Sequence, residues 1–488
     1  MTSVVWFRSD LRIDDNSALH TALETGEPVI GLFLLAEQQW RAHHWGSRKQ
    51  VFVWQHVLAL RTALAARGIA LHIEHAPLFD DAPAALEAFV LRHHARRVLV
   101  NAEYGVDEIA RDRQVAARLA EHRVSLRQLH DFTLLAPGSV LTRQGAPFRV
   151  FTPFRRAWSG TVRGETISCF AAPPARTAIE PPPAPAWTPP PGALDPDWWP
   201  IGEDCARARL EDFIEHRIER YHEDRDIPAL DGSSRLSPYL ASGVLSVRRC
   251  MQAALAVNHG EWDSGKRGVQ TWLGELIWRE FYTHILVAFP RVSRNRPFRI
   301  ETDGVPWRGP GAALEQWQRG LTGFPLVDAG MRQLLEHGWM HNRLRMLCAM
   351  FLSKYLLVDW RLGERWFMDQ LVDGELAANN GGWQWSASTG TDAAPYFRIL
   401  SPVRQAERFD REGSFVRQYV PELAGVRTAV LLQPGHRELL ATGYPAPMID
   451  TRIARDQVLQ AFRALARNEP ITAEPRKPDS VTCGEHRS

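Results

Sequence analysis

Cysteine is scarce and scattered in this chain: Cys169, Cys205, Cys250, Cys348 and Cys483 are the five among 488 residues, with no CxxC pair and no His-rich spacing around them. That pattern excludes a zinc knuckle and a disulfide framework, and the thiols read as reduced structural groups of a cytosolic protein. No apolar run reaches the roughly 18 residues of a membrane-spanning helix, so none is expected. The opening Met1-Thr2-Ser3-Val4-Val5-Trp6-Phe7-Arg8 has no basic stretch leading into a long apolar one, so no secretory signal is expected either. Lysine is nearly missing: of 58 cations only Lys49, Lys266, Lys354 and Lys477 are lysines, so a single arginine marks no site by itself. Neither sign of charge dominates, since 58 basic against 56 acidic residues give +2. Any nucleic-acid face must then come from charge segregated to one side. Also missing are G-x-G-x-x-G and G-x-x-x-x-G-K-[ST], which removes the dinucleotide fingerprint and the P-loop.

What remains is an ordinary soluble composition, 45% hydrophobic and 23% charged, long enough for two to four domains. Ser3–Phe7, Val29–Leu35, Ile69–Glu74, Arg97–Asn101 and Ser125–Leu129 are short apolar runs of the kind a parallel sheet buries on both faces. Helical stretches separate them, such as Arg48–Arg67 with Gly68 as its C-cap. The alternation predicts an α/β doubly wound parallel-sheet domain over residues 1–135, with a ligand crevice at the carboxyl edge of its sheet. Residues 136–204 read as a linker, Pro-rich at 171–202, where eleven of the 33 prolines fall between Pro173 and Pro200 and dictate extended chain over the surface. From 205 to 470 the period turns helical, predicting a larger all-α domain with helices over Ala206–Glu223, Ser246–Val257, Val269–Ala288, Pro325–Glu336, His341–Leu357 and Gly363–Leu371. The stretch 471–488 is a polar tail.

Tryptophan is the surplus: eighteen in all, ten of them between Trp262 and Trp385. Indoles pack cores, stack on bases, or pass single electrons, and composition does not choose among these. Three segments stand out. In Asp373-Gly374-Glu375-Leu-Ala-Ala-Asn379-Asn380-Gly381-Gly382-Trp383-Gln-Trp385, the Asn-Asn-Gly-Gly lets backbone approach a ligand beside two carboxamides, and a mere helix-breaking turn would not need two indoles and a carboxylate at fixed offsets. In Trp272-Leu-Gly-Glu275-Leu-Ile-Trp278-Arg279-Glu280-Phe281-Tyr282, a helix puts Glu275, Trp278, Arg279 and Tyr282 on one face, a carboxylate in an apolar aromatic flank that would raise its pKa. In Gly338-Trp339-Met340-His341-Asn342-Arg343-Leu-Arg345-Met346, Asn342 and Met346 share a helix face.

These segments, together with Val4-Val5-Trp6-Phe7-Arg8-Ser9-Asp10-Leu11-Arg12, resemble the photolyase/cryptochrome family, most closely a class I cyclobutane pyrimidine dimer (CPD) photolyase of bacterial type, over nearly the whole chain. The resemblance implies an α/β antenna domain, a linker and a helical FAD domain, and an enzyme that splits pyrimidine dimers in UV-damaged DNA with light. It implies FAD, active as FADH⁻, held by Tyr221, Ser233, Ser234, Arg235, Leu236, Ser237, Trp272, Arg345, Asp373, Gly374 and Glu375, with Asn379 facing flavin N5. Glu275 is implied to hydrogen-bond the dimer, Trp278 and Trp385 to wall the flipped lesion, and Arg225, Asn342 and Met346 to line or flank the same cavity. Arg343, Arg398, Arg404 and the run Arg291–Arg299 are implied as the cationic rim. Trp307, Trp360 and Trp383 match the family's electron-relay tryptophans.

An antenna chromophore, 5,10-methenyltetrahydrofolate or alternatively a deazaflavin, is implied at Glu108. There Asp107 and Ser293-Arg294 depart from the family's Asn and Cys-Lys, and Gly274 replaces a family Asn. A cryptochrome-like blue-light photoreceptor is the alternative reading; Asn379, Glu275 and the short tail speak against it. A (6-4) photoproduct photolyase would need two histidines where Asn342 and Met346 stand, and no nicotinamide site marks a general flavin oxidoreductase. The expectation is a cytoplasmic monomer without metal, membrane or obligate protein partner.

Overall fold

Short runs rich in Val, Leu, Ile and Phe need partners for their backbone groups, and in a computed structural model of the protein five of them pair into one parallel sheet. The strands are Thr2–Phe7 (β1), Val29–Leu35 (β2), Leu71–His75 (β3), Ala95–Asn101 (β4) and Ser125–Leu129 (β5), ordered β3-β2-β1-β4-β5. The structure describes residues 2–163, 167–192 and 194–466; Cys483, Lys477 and the expected polar tail 471–488 lie outside the described residues. Strand order reverses between β1 and β4, so a crevice opens at their carboxyl ends. One sheet face packs Val4, Trp6, Leu32 and Val98 under Leu86, Phe89 and Leu119. The other face, with Val5, Phe7, Phe33 and Leu35, belongs to a core that continues into the helical half through Trp158, Phe213 and Phe281. β5 departs from expectation: Ser125, Arg127 and Gln128 are exposed, because it is an edge strand.

The helices that build the sites are Ser47–Ala65 (α1), Val106–Ala120 (α2), Phe151–Val162 (α3), Val247–Ala256 (α4), Arg267–Ala288 (α5), Asn342–Met350 (α6), Trp360–Gln370 (α7) and Leu376–Ala387 (α8). Past the end of α1, Gly68 takes a left-handed φ of 71°. Two expected helices are interrupted. The 206–223 stretch is Glu203–His216, a 3₁₀ turn at Ile218–Arg220 and a last turn from Tyr221, while α6 passes into a π turn at Phe351–Tyr355. Asn379-Asn380-Gly381-Gly382, a sequence able to break a helix, lies inside α8. Glycine here serves packing. A Cβ on Gly381 would lie 2.3 Å from the Tyr282 ring of α5, and one on Gly363 of α7 would lie 2.1 Å from the Trp383 ring of α8. The glycines cost helix propensity and gain close helix contact.

Between the halves the Pro-rich chain has neither helix nor strand among its described residues and is pinned by indoles. Trp187 meets Trp40 and Trp54 edge-on at 5.9 and 5.1 Å, and Trp198 stacks on His337 at 3.7 Å. Among the described residues no helix is long and apolar enough to cross a membrane.

A buried ionic network joins the halves. Arg248 of α4 donates to Asp15 at 2.9 Å and to Asp131 at 2.7 Å, and Arg12 also pairs with Asp131. Burial alone would raise the Asp131 carboxyl, but Arg12 and Arg248 hold it well below the usual carboxylate range. Arg248→Met leaves two buried carboxylates short of a partner and should cost about 3–5 kcal/mol, read as the shift of the urea midpoint. The depressed carboxyl contributes stability above the ordinary carboxylate pKa of about 4. That contribution is lost as pH falls through the depressed value, so the melting temperature should drop below about pH 4. A melting temperature unchanged down to pH 2 would contradict this.

Candidate functional site

The helical half encloses a cavity of about 500 Å³ between α5, α6 and α8. All the flavin-contact positions expected from sequence line it: Tyr221, Ser233, Ser234, Arg235, Leu236, Ser237, Trp272, Arg345, Asp373, Gly374, Glu375 and Asn379. So do Arg225, Glu275, Trp278, Asn342, Met346 and Trp385. Helical spacing on α5 explains part of this convergence, since Trp272, Glu275, Trp278, Arg279 and Tyr282 fall on one face and all reach the cavity. Arg343 is not part of the lining; it pairs with Asp226 at 2.6 Å, and its guanidinium covers Phe409.

Asp373 organises the floor. One of its oxygens accepts from Arg345 at 2.8 Å and from Ser237 at 2.6 Å. The other, Oδ1, is buried without a protein partner. A bound group carrying donors would satisfy it. Glu375 next to it caps α8, accepting from the amides of Ala377 and Ala378 at 2.9 Å each. About two turns on, Gly382 presents bare backbone: a Cβ there would meet no protein atom and would project into open space beside the cavity. An orphaned carboxylate oxygen and a bare helix backbone are what a large polar ligand needs.

The amide of Asn379 has a fixed orientation. Its Nδ2 donates to the Glu364 carbonyl at 3.0 Å and to the Glu364 carboxyl at 2.9 Å, leaving its oxygen free as an acceptor. Burial pushes the Glu364 carboxyl up to about 7, the Asn379 bond partly offsetting it. Sequence reading missed Glu364, although the signal was there: an acid on the apolar stripe of α7 with Trp360, Gly363, Phe367 and Met368, all buried.

At the mouth, the expected apolar sleeve around Glu275 is corrected. Arg225 donates to its carboxylate at 2.7 Å, and the side chain is one-third exposed. Trp278 is clamped on one face by Phe151 of α3, stacked at 3.6 Å and 8°, a residue the sequence did not single out. A Cβ on Gly274 would meet only the flexible end of Arg155, its Nη1 at 3.3 Å, so packing does not demand glycine there. His341, also missed, caps α6 by accepting from the Arg343 amide at 3.2 Å, and burial lowers its pKa to about 4, keeping the ring neutral. In the expected basic run, Arg291 and Arg299 are paired with Asp303 and Glu301, while Arg294, Arg296, Arg398 and Arg404 stand exposed.

Trp307, Trp360 and Trp383 are connected through backbone. The Arg308 amide donates to Leu357 at 2.7 Å and the Asp359 amide to Arg308 at 2.9 Å, so Trp307 is stitched beside the start of α7, where Trp360 stands. Gly363, almost one turn further, lies under the Trp383 ring. Trp383 itself lines the cavity, one turn from Asn379.

A second cavity of about 370 Å³ opens at the carboxyl edge of the sheet, between the halves. Glu108 and Asp107 of α2 line it, as does Ser293, whose Oγ accepts from the Val106 amide at 3.0 Å. His43 pairs with Asp107 at 3.1 Å and with Glu108 at 3.5 Å; burial raises the Glu108 carboxyl, with His43 opposing. Arg294, expected beside Ser293, is exposed and does not line this cavity.

The comparisons with known proteins agree in family. The profile described as DNA photolyase matches residues 3–183, and the FAD binding domain of DNA photolyase matches residues 272–464. Deoxyribodipyrimidine photo-lyase of Escherichia coli K12 is 42% identical over 95% of this chain and 98% of its own, and that of Vibrio cholerae is 40% identical over 94% and 99%. A bacterial class III photolyase from Agrobacterium tumefaciens superposes with a TM-score of 0.81 at 34% identity over 96% of this chain and 98% of its own. A Synechocystis cryptochrome gives 0.81 at 26% identity over 94% and 99%. The chain belongs to the DNA photolyase family, its helical half carrying that family's FAD-binding domain.

Proposed function

We propose that the protein is a class I CPD photolyase that binds UV-damaged DNA at the mouth of the helical cavity and repairs pyrimidine dimers there under light. The observation that carries the reading is the single cavity in which the flavin-motif residues and Glu275, Trp278, Asn342, Met346 and Trp385 are all wall residues. Bound there in reduced form (FADH⁻), the flavin would supply, under light, one electron to the dimer and regain it once the cyclobutane ring had opened. Arg345, Asp373, Ser237 and the Ser233–Leu236 run hold the cofactor. The free oxygen of Asn379 suits a partner that carries a proton at N5, and a carboxamide does so without titrating.

At the mouth, Glu275 hydrogen-bonds the flipped bases, accepting from a ring N–H or donating to a carbonyl oxygen, with Arg225 fixing its carboxyl group. Trp278, already backed by Phe151, offers its other face, and Trp385 stands in the same wall. A dimer is poorly stacked, so extruding it costs less than extruding normal bases. Neither Asn342 nor Met346 can deliver the proton a (6-4) lesion requires, which favours the cyclobutane substrate.

Trp383, Trp360 and Trp307 form the proposed relay that reduces oxidised FAD from the surface. The indole N–H groups of all three find no protein acceptor. An oxidised indole without an acceptor keeps its proton, so the hole can be passed on. The 370 Å³ cavity is the proposed antenna site, and Glu108 with its neighbouring donors favours a folate such as 5,10-methenyltetrahydrofolate over a deazaflavin.

The central test is repair of a thymine-dimer oligonucleotide under illumination. Wild type should restore the bases, and Glu275→Ala should lower yield per absorbed photon at unchanged FAD content; equal yields would remove the assignment. Trp307→Phe should abolish photoreduction of oxidised FAD and leave repair by chemically pre-reduced enzyme intact. Loss of both would make Trp307 a packing residue.

DNA binding should divide into two parts. Arg398→Ala should weaken damaged and undamaged DNA alike and flatten the salt dependence by about one unit. Trp278→Ala should weaken damaged DNA only, by about 1–3 kcal/mol, the value of a lost stacking platform. Titrations of both DNAs at several salt concentrations separate the two.

A further inference from the structure

One buried cation links the two cavities. Lys49, on the first turn of α1, is 4% exposed, lines the cavity between the halves and does not line the flavin cavity. Its Nζ lies 3.5 Å from the centroid of the Trp45 ring and donates to the Gly374 carbonyl. Burial lowers its pKa to about 7, with Glu375, Asp373, Glu108 and Glu103 opposing the shift. An ammonium kept this far from water is costly, and its position says what it serves. Gly374 is the middle of a three-residue turn. On one side Asp373 anchors Arg345 and Ser237; on the other Glu375 caps α8, which carries Asn379 and Trp383. The turn is tight, since a Cβ on Gly374 would lie 3.2 Å from the sulfur of Met368.

We propose that Lys49 is a positioning residue for FAD supplied by the α/β half: by fixing the Gly374 carbonyl it sets the Asp373-Gly374-Glu375 turn, so cofactor affinity depends on a side chain outside the flavin cavity. The proposal rests on the helical cavity being the FAD site.

The test is titration of apoprotein with FAD, followed by flavin fluorescence, beside thermal melting of the same apoproteins. Arg249→Gln is the control, because Arg249 also ties the halves together, through Asp14 at 2.7 and 2.8 Å, without touching the turn. Lys49→Met should weaken FAD tenfold or more while Arg249→Gln stays within twofold of wild type. Lys49→Gln, which keeps a donor and is a milder change should the Met variant not fold, should fall between them. A Lys49→Met or Lys49→Gln protein that binds FAD within twofold of wild type would overturn the proposal. Equal weakening by Arg249→Gln would do so too, reducing Lys49 to general interdomain packing. Wild-type apoprotein that bound no FAD would overturn the cofactor assignment itself and this proposal with it.

Discussion

The close approach of α5, α7 and α8 is the constraint on which the site depends. Helix axes approach this closely only where a side chain is missing, and here Gly363 and Gly381 are the missing side chains at the two contacts. Because Gly381 meets Tyr282 and Gly363 lies under Trp383, α8 is wedged between its neighbours with Asn379 turned toward Glu364. The same logic reaches across the halves. A Cβ on Gly46, just before α1, would overlap the Asp369 carbonyl at 1.6 Å, and this approach brings Lys49 up to the flavin turn.

Charge inside the protein is arranged more sharply than the net +2 implies. Leu240, Ala241, Arg279 and Glu375 are shared by the walls of both cavities. Arg279 donates to the carbonyls of Phe132 at 2.6 Å and Leu240 at 3.4 Å and has no ion-paired carboxylate among the described residues. Lys49 and Arg279 are balanced by carboxylates rather than making the region positive: Glu375 acts on both, Asp373, Glu108 and Glu103 on Lys49, and Glu280 on Arg279.

Much of this was legible in the sequence because it is periodic or local. Five apolar runs announced the sheet, helical spacing on α5 brought Glu275, Trp278 and Tyr282 together, and the motif segments found the cavity wall. What stayed hidden is tertiary. Asn-Asn-Gly-Gly is poor helix sequence, and the tight contact of Gly381 with Tyr282 inside that helix is a tertiary feature. The ion pair of Glu275 with Arg225 spans fifty positions, and no local pattern announces it. Glu364 and Lys49 did leave a trace, each a charge on an apolar helix face, but the trace says only that the group is buried and not what it holds. Ser125–Leu129 was misjudged because an edge strand and a central one look alike over five residues.

The tryptophans fall into groups by environment, a distinction that composition left open. Trp158, Trp199 and Trp317 are fully buried, and each indole N–H has an acceptor: Glu280 at 2.5 Å, the His337 carbonyl at 2.8 Å and the Cys348 carbonyl at 3.1 Å. These indoles are locked into the core and can be read as packing. Trp278 and Trp385 are partly open and line the cavity, where a π face can be offered to a base. Trp307, Trp360 and Trp383 form a third group, buried wholly or in part with unbonded N–H groups. Trp6 also lacks an acceptor, but the Arg8 and Arg111 guanidinia sit 4.7 and 4.9 Å from its ring centre. Two cations against one indole make its oxidation unfavourable, so an unbonded N–H alone does not make a relay. Trp366 has the unbonded N–H as well and belongs to α7 beside Trp360, yet it does not line the flavin cavity and Trp383 does. These traits fit the proposed relay without marking it: Arg361 sits 4.9 Å from the Trp360 ring centre, as far as Arg111 does from Trp6, and of the three indoles it is Trp383 that lines the cavity.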